Sequence, residues 1–299
     1  MTNREIHLRR LIVSAIFLAL ALILRAYTSF YIPLFGYGGM RVGLHSMFSM
    51  MPAILFGPVY GGIISGLMDL LGFMIRPSGA YLPLMTVIAV AGGFLRGWLW
   101  LIFRQMGIWK GRVLIGGFSC LLVLFGIMCF MLLRQSGVDA GFYDGRDIGN
   151  GIDLDGMYFI ARWAVQRTQI VSDPAGMLDT IITSVTLVPI AAGIFGGLLL
   201  GIDILLSKRL GSLSSENENS GGSIMPLLIA MLISGMFVNT LNTILLRETL
   251  ITSWQQLPFV VVWLPRIVQS VIVTTAYVYG MSFLLGICKQ YRFIGRLMR

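Results

Sequence analysis

The residues able to do chemistry in this chain are ionisable or amide side chains set inside long apolar runs: Arg25, Asp69, Asn239, Asn242 and Arg266. Charge inside hydrocarbon is costly, so each marks a functional site unless a neighbour merely uses it to hold helices together. At about 1.5 Å per helical residue, Arg25 falls roughly 10 Å and Asp69 roughly 9 Å below the outer ends of their runs, with Arg266 at a similar depth. Asn239 and Asn242, at i and i+3, share one helix face near that level. Five polar groups from four helices are thus expected in one layer of the outward half. Such a layer suits a small polar or anionic ligand, with arginines pairing to carboxylates and amides reading ring edges. The alternative is an Arg–Asp pair and interhelical amide bonds that only stabilise the bundle. Two arginines exceed what one aspartate neutralises, which favours a ligand.

Loop residues adjoin this layer. Arg41 lies in Gly39-Met40-Arg41-Val42-Gly43, and Arg76 and Tyr81 lie in Arg76-Pro77-Ser78-Gly79-Ala80-Tyr81-Leu82-Pro83. Proline and glycine there fix a non-helical backbone that can close over a ligand, whereas snorkelling arginines in ordinary turns are the plain alternative. Arg96 sits eight residues before the inner end of its run, placed either to snorkel or to pair with a partner subunit. No phosphate-binding loop, His-Glu-x-x-His or Gly-x-Ser-x-Gly is found, and the histidines are His7 and His45. Cys120, Cys129 and Cys288 lack CxxC spacing, so neither a disulfide framework nor a zinc site is expected. The chain therefore reads as a non-enzyme with no metal or other cofactor, and any ATP hydrolysis belongs to another chain.

The elements that must position these groups are membrane helices. Of 299 residues, 57% are hydrophobic and 12% charged, against about a quarter charged in soluble chains. A bilayer core of about 30 Å needs roughly 20 apolar residues per helix. Apolar runs predict eight spans near 8–32, 44–57, 58–75, 82–104, 113–133, 177–206, 225–246 and 259–288, with a sharp turn at Gly57-Pro58. The first run is too long for a cleavable signal and is expected to stay as a span.

The net charge of +9 does not imply nucleic acid, because the cations flank apolar runs. Arg4, Arg9, Arg10, Arg104, Lys110, Arg112, Lys208, Arg209, Lys289, Arg292, Arg296 and Arg299 place both termini in the cytoplasm of a bacterial-type inner membrane. The loop 136–176, with Asp139, Asp144, Asp147, Asp153, Asp155 and Asp173, then faces outward, and 207–223 is a flexible cytoplasmic linker. Small residues at four-residue spacing, Gly62/Gly66, Gly93/Gly97 and Gly193/Gly197/Gly201, predict close helix approach.

Taken in order, Arg25, Ile32-Pro33-Leu34, Met40-Arg41-Val42, Pro52, Gly57, Gly62, Gly66, Asp69, Gly72, Pro77-Ser78-Gly79-Ala80-Tyr81, Pro83, Asn239-Thr240 and Leu264-Pro265-Arg266-Ile267 resemble the substrate-binding S component of energy-coupling factor (ECF) vitamin transporters, folate-type branch. The resemblance covers 8–104 and 225–290. It implies a six-helix unit that binds a vitamin-like small molecule in its outward half and works with a transmembrane coupling subunit and two ATPases. It also implies that Ala15 and Ala19, in Ala15-Ile16-Phe17-Leu18-Ala19, dock the coupling subunit. Arg25, Arg41, Asp69, Asn239 and Arg266 would be pocket or pocket-support residues. The chain then divides into core helices at 1–108, an inserted helix pair with its acidic loop at 109–222, and the last two core helices with a basic tail at 223–299. A rival from another class is a membrane assembly or regulatory protein that recognises another protein through 136–176.

Overall fold

The computed structural model describes residues 3–28, 30–32, 40–75, 77, 81–105, 108–136, 157–168, 174–211, 225–249, 255 and 259–290. The chain is an all-helical multi-pass membrane protein, with one small pair of β-strands among the described residues. Among the described residues seven helices are long and apolar enough to cross a membrane, and a shorter apolar helix, His45–Phe56, accompanies them. The elements run α1 (Asn3–Thr28), β1 (Phe30–Ile32), β2 (Met40–Val42), α2 (His45–Phe56), α3 (Pro58–Ile75), α4 (Pro83–Phe103), α5 (Ile108–Gln135), α6 (Phe159–Thr168), α7 (Pro174–Gly211), α8 (Met225–Thr249) and α9 (Phe259–Gln290).

The chain forms two compact units. The first holds Met1–Gly111, Asn219–Leu250 and Gln269–Arg299, and the second holds Arg112–Glu218 and Ile251–Val268. The boundary inside α9 separates Arg266 from the residues that begin at Gln269.

In the first unit, α1 is apolar almost all round between Leu11 and Leu24. Ser14, Leu18 and Ala21 recur at helical spacing on its buried side, while Leu8, Ile12, Ile16 and Ile23 stay exposed, as suits lipid. Leu18 and Ala21 pack with Ile64 and Met68 of α3. The first span was expected to reach residue 32. It stops at Thr28, and Phe30, Tyr31 and Ile32 pair antiparallel with Val42, Arg41 and Met40. Aromatic and β-branched residues just before a proline favour extended backbone, which accounts for the earlier stop.

The turn expected at Gly57-Pro58 is present. Gly57 has φ 99° and ψ −173°, a region closed to side chains with a β-carbon. Its N–H donates to the Ala53 carbonyl at 3.2 Å and its carbonyl accepts from Gly61 N–H at 3.1 Å. Pro58 then opens α3 at a position where its missing N–H costs nothing. With 12 residues, α2 is about 18 Å long, short of a full crossing.

α3 and α4 pack through glycines. The Gly93 carbonyl lies 2.5 Å from where a β-carbon on Gly61 would stand, and the Pro58 Cα 2.6 Å from one on Gly97. Gly61 carries more of this contact than Gly62, whose corresponding nearest atom is 3.3 Å away.

In the second unit, α5 and α7 approach at Gly126 and Gly193, with the Ser119 carbonyl 2.6 Å from a β-carbon position on Gly193. Gly197 and Gly201 have open space instead of the expected contact, and Gly196 takes the next place against Ser119. The buried face follows 186, 190, 193 and 196, a helical stripe that a strict four-residue spacing leaves. Residues 136–176 were expected to be a loop, yet α6 forms within them: Ala161, Ala164 and Val165 are buried at i, i+3 and i+4. Tyr158 N–H donates to Ser136 Oγ at 3.2 Å just before it. The acidic positions 139 to 155 and Asp173 lie outside the described residues, as does 212–224 of the expected linker; 207–211 continue α7.

Candidate functional site

α3 brings two of the expected groups onto adjacent turns. Arg25 Nη1 donates to the Met68 carbonyl at 3.0 Å. Its guanidinium lies over Gly72, where a β-carbon would stand 2.6 Å from Nε, so the cation occupies the space a side chain would need. Asp69 follows Met68 directly. Thr86 Oγ1 on α4 donates to Asp69 Oδ2 at 2.7 Å, and Tyr81 Oη lies 2.7 Å from the same Oγ1. A hydroxyl has one proton, and that of Thr86 is committed to the carboxylate. Tyr81 must therefore be the donor to Thr86, giving a relay from phenol to hydroxyl to carboxylate. The Tyr81 ring rests against Phe73 of α3 with centroids 5.1 Å apart.

Thr86 was not anticipated. The signal was present: Pro83 sets the start of α4, and Thr86 is a hydroxyl one turn in, opposite the only carboxylate of α3.

α4 also places the amides. Asp69 meets Thr86, and six residues further along α4 Gly92 packs on Val238 of α8. At about 1.5 Å per residue, Asn242 then lies about 3 Å and Asn239 about 7 Å deeper than Asp69. The polar groups descend in steps instead of sharing one level. Asn239 is buried, and its carbonyl accepts from Thr243 Oγ1 at 2.7 Å. Asn242 Oδ1 is enclosed without a hydrogen-bond partner among the described residues.

Arg41 stands in β2 opposite Tyr31. The turn after it is held by α9, since Tyr277 Oη donates to the Gly43 carbonyl at 2.9 Å and accepts from Gly43 N–H at 3.1 Å. Arg76 lies outside the described residues. Arg266 is buried in the second unit and is not placed relative to the others. Ala15 and Ala19 are exposed on α1. In the second unit Arg112 Nε pairs with Asp203 Oδ2 at 2.9 Å, an ion pair that sequence reading did not anticipate. No group of three or more metal-ligating side chains occurs among the described residues.

The family model described as "ECF transporter, substrate-specific component" matches residues 9–165. That stretch runs past α4 through α5 and into α6. A curated relative, the folate transporter FolT of Clostridium novyi (strain NT), is 39% identical over 57 residues, 19% of this chain and 33% of the relative. The match thus spans about a third of that relative's length. No solved structure matches the chain.

Proposed function

The chain belongs to the substrate-specific components of ECF transporters, and from that premise we propose that it captures a folate-like vitamin or cofactor precursor outside the cell for import. The observation that carries the reading is the Tyr81–Thr86–Asp69 relay beside the Arg25 guanidinium on the last turns of α3. A fixed carboxylate accepts from amino and ring N–H groups, and the guanidinium pairs with a carboxylate, so together they suit a ligand carrying both. The folate preference rests on the relative named a folate transporter.

Import uses a coupling transmembrane subunit and two ATPases, the partners that membership among the ECF substrate-specific components implies. Ala15 and Ala19, exposed on α1, are the docking positions for the coupling subunit. Both termini face the cytoplasm, and 109–222 is an insertion into a six-helix core.

Isothermal calorimetry of the purified protein with folic acid tests the reading. Saturable binding is expected, weakened at least tenfold by Asp69→Asn and by Arg25→Gln. Absence of binding by the folded wild type, or equal affinity in both variants, refutes it.

A further inference from the structure

Resting on that reading, we infer that Asn242 of α8 is a second ring-reading residue, taking an N–H of the heterocycle whose other edge meets Asp69. Its Oδ1 is enclosed yet accepts no hydrogen bond among the described residues. A carbonyl left that way inside a protein is costly until a donor arrives, and the cleft beside it leads a donor there.

Two contacts fix how α8 runs beside α4. Gly92 of α4 packs on Val238, and Gly111, just past the end of α4, has a β-carbon position 3.3 Å from Met225 Cβ. The helices are therefore antiparallel, so moving outward lowers the residue number on α4 and raises it on α8. Asn242 is one helical turn outward from Val238 and on the same face. It looks toward α4 about 6 Å above the Gly92 contact.

The neighbouring side of α4 belongs to α3. Gly93 packs on Gly61, and Thr86, seven residues away and so nearly in line with Gly93, holds Asp69. Successive helix residues stand about 100° apart, so Gly92 and Gly93 set α8 and α3 a little over a quarter-turn apart around α4. With axes about 8–10 Å apart at each contact, α3 and α8 run roughly 14 Å from each other. A cleft remains between them, with α4 as its back wall.

Ala89 shows that this cleft is open. Three residues before Gly92, it falls between the two contact lines and about 4.5 Å above them. Ala89 is partly exposed, whereas Gly92 and Gly93 directly beneath are buried. The cleft therefore reaches down to Ala89 and is closed below it by Gly92 on Val238 and Gly93 on Gly61. Asp69, held at the level of Thr86 about 9 Å above that floor, stands on one wall. Asn242, about 6 Å above it, stands on the other.

Two acceptors facing one another across a closed-bottomed cleft specify the solute. A flat, nitrogen-rich ring with N–H donors on two edges satisfies both, while an aliphatic or purely anionic solute satisfies neither. Asp69 takes one edge and the Asn242 carbonyl the other, and Arg25 stays with the carboxylate.

The test is calorimetry of the purified full-length protein, wild type against Asn242→Leu, which is close in shape. Three probes are used: folic acid, pterin as the ring alone, and p-aminobenzoylglutamate as the carboxylate-bearing part alone. The variant is expected to weaken folic acid and pterin roughly tenfold or more and to treat p-aminobenzoylglutamate as wild type does. Its ligand-free melting temperature should be unchanged or raised, since an unsatisfied carbonyl is removed. If wild type binds pterin in an Asn242-dependent way but not folic acid, the folate reading fails and the assignment of Asn242 stands. If wild type binds folic acid and Asn242→Leu binds it and pterin equally well, the assignment is overturned and the folate reading stands. Equal losses for all three probes, or a lowered melting temperature, also overturn it, because the amide then serves the fold. Binding of none of the three by folded wild type overturns both.

Discussion

Thr86→Val tests the relay that positions Asp69. The substitution keeps the shape and deletes the hydroxyl at the centre of two 2.7 Å contacts. Asp69 is partly buried, so its Oδ2 loses a donor to a charged acceptor, worth about 1.5–3 kcal/mol. Tyr81 is 37% exposed, and its phenol regains water at almost no cost. The sum is about 2 kcal/mol, or roughly a thirtyfold loss of affinity for a ligand that needs the carboxylate held in place. Calorimetry with folic acid measures it directly. Thr86→Ser restores the hydroxyl and should recover most of the loss, and Tyr81→Phe should cost less than Thr86→Val because water replaces its contact. A Tyr81→Phe variant weaker than Thr86→Val, or Thr86→Ser no better than Thr86→Val, refutes donation from Tyr81 through Thr86 to Asp69.

Three further outcomes follow from the packing. Gly61→Val should destabilise the detergent-solubilised protein by at least about 1–3 kcal/mol through overpacking, while Gly197→Ala, in open space, should stay within about 0.5 kcal/mol of wild type in thermal unfolding. Arg112→Ala should cost more than Asp203→Ala, up to about 3 kcal/mol, because the Asp203 side chain left behind is 5% exposed and Arg112 at 21% can reach water. Ala15→Trp with Ala19→Trp should abolish co-purification with the coupling subunit while leaving folic acid binding unchanged, since both positions are exposed and away from the relay.

Much of the architecture was readable from composition, because bilayer thickness imposes run lengths that water-soluble folds do not share. Gly57-Pro58 announced a corner through residues with few other uses. What escaped was governed by short-range competition inside apolar sequence. Phe30 to Ile32 look like the end of a span by hydropathy, and only Pro33 hints that the backbone turns extended. α6 was hidden because the acidic run before it dominated the character of the whole segment. At the site, charges were legible one by one while their partners were not. Asp69 stood out as a carboxylate in hydrocarbon, yet Thr86 is an unremarkable residue until the α3–α4 register sets it 2.7 Å away. Arg96 shows the converse: its burial shows that it turns into the bundle, which its distance from a helix end left open.

The corner at Gly57 bears on how the first unit can deform. Helices α2 and α3 meet through a single residue whose N–H and carbonyl are each tied to one of them. With no slack between them, sliding one helix along its axis must drag the other, so the pair behaves as a stiff elbow. Inserting two or three flexible residues at that point would free α2 from α3 and turn the elbow into a hinge, leaving every membrane-spanning sequence as it was.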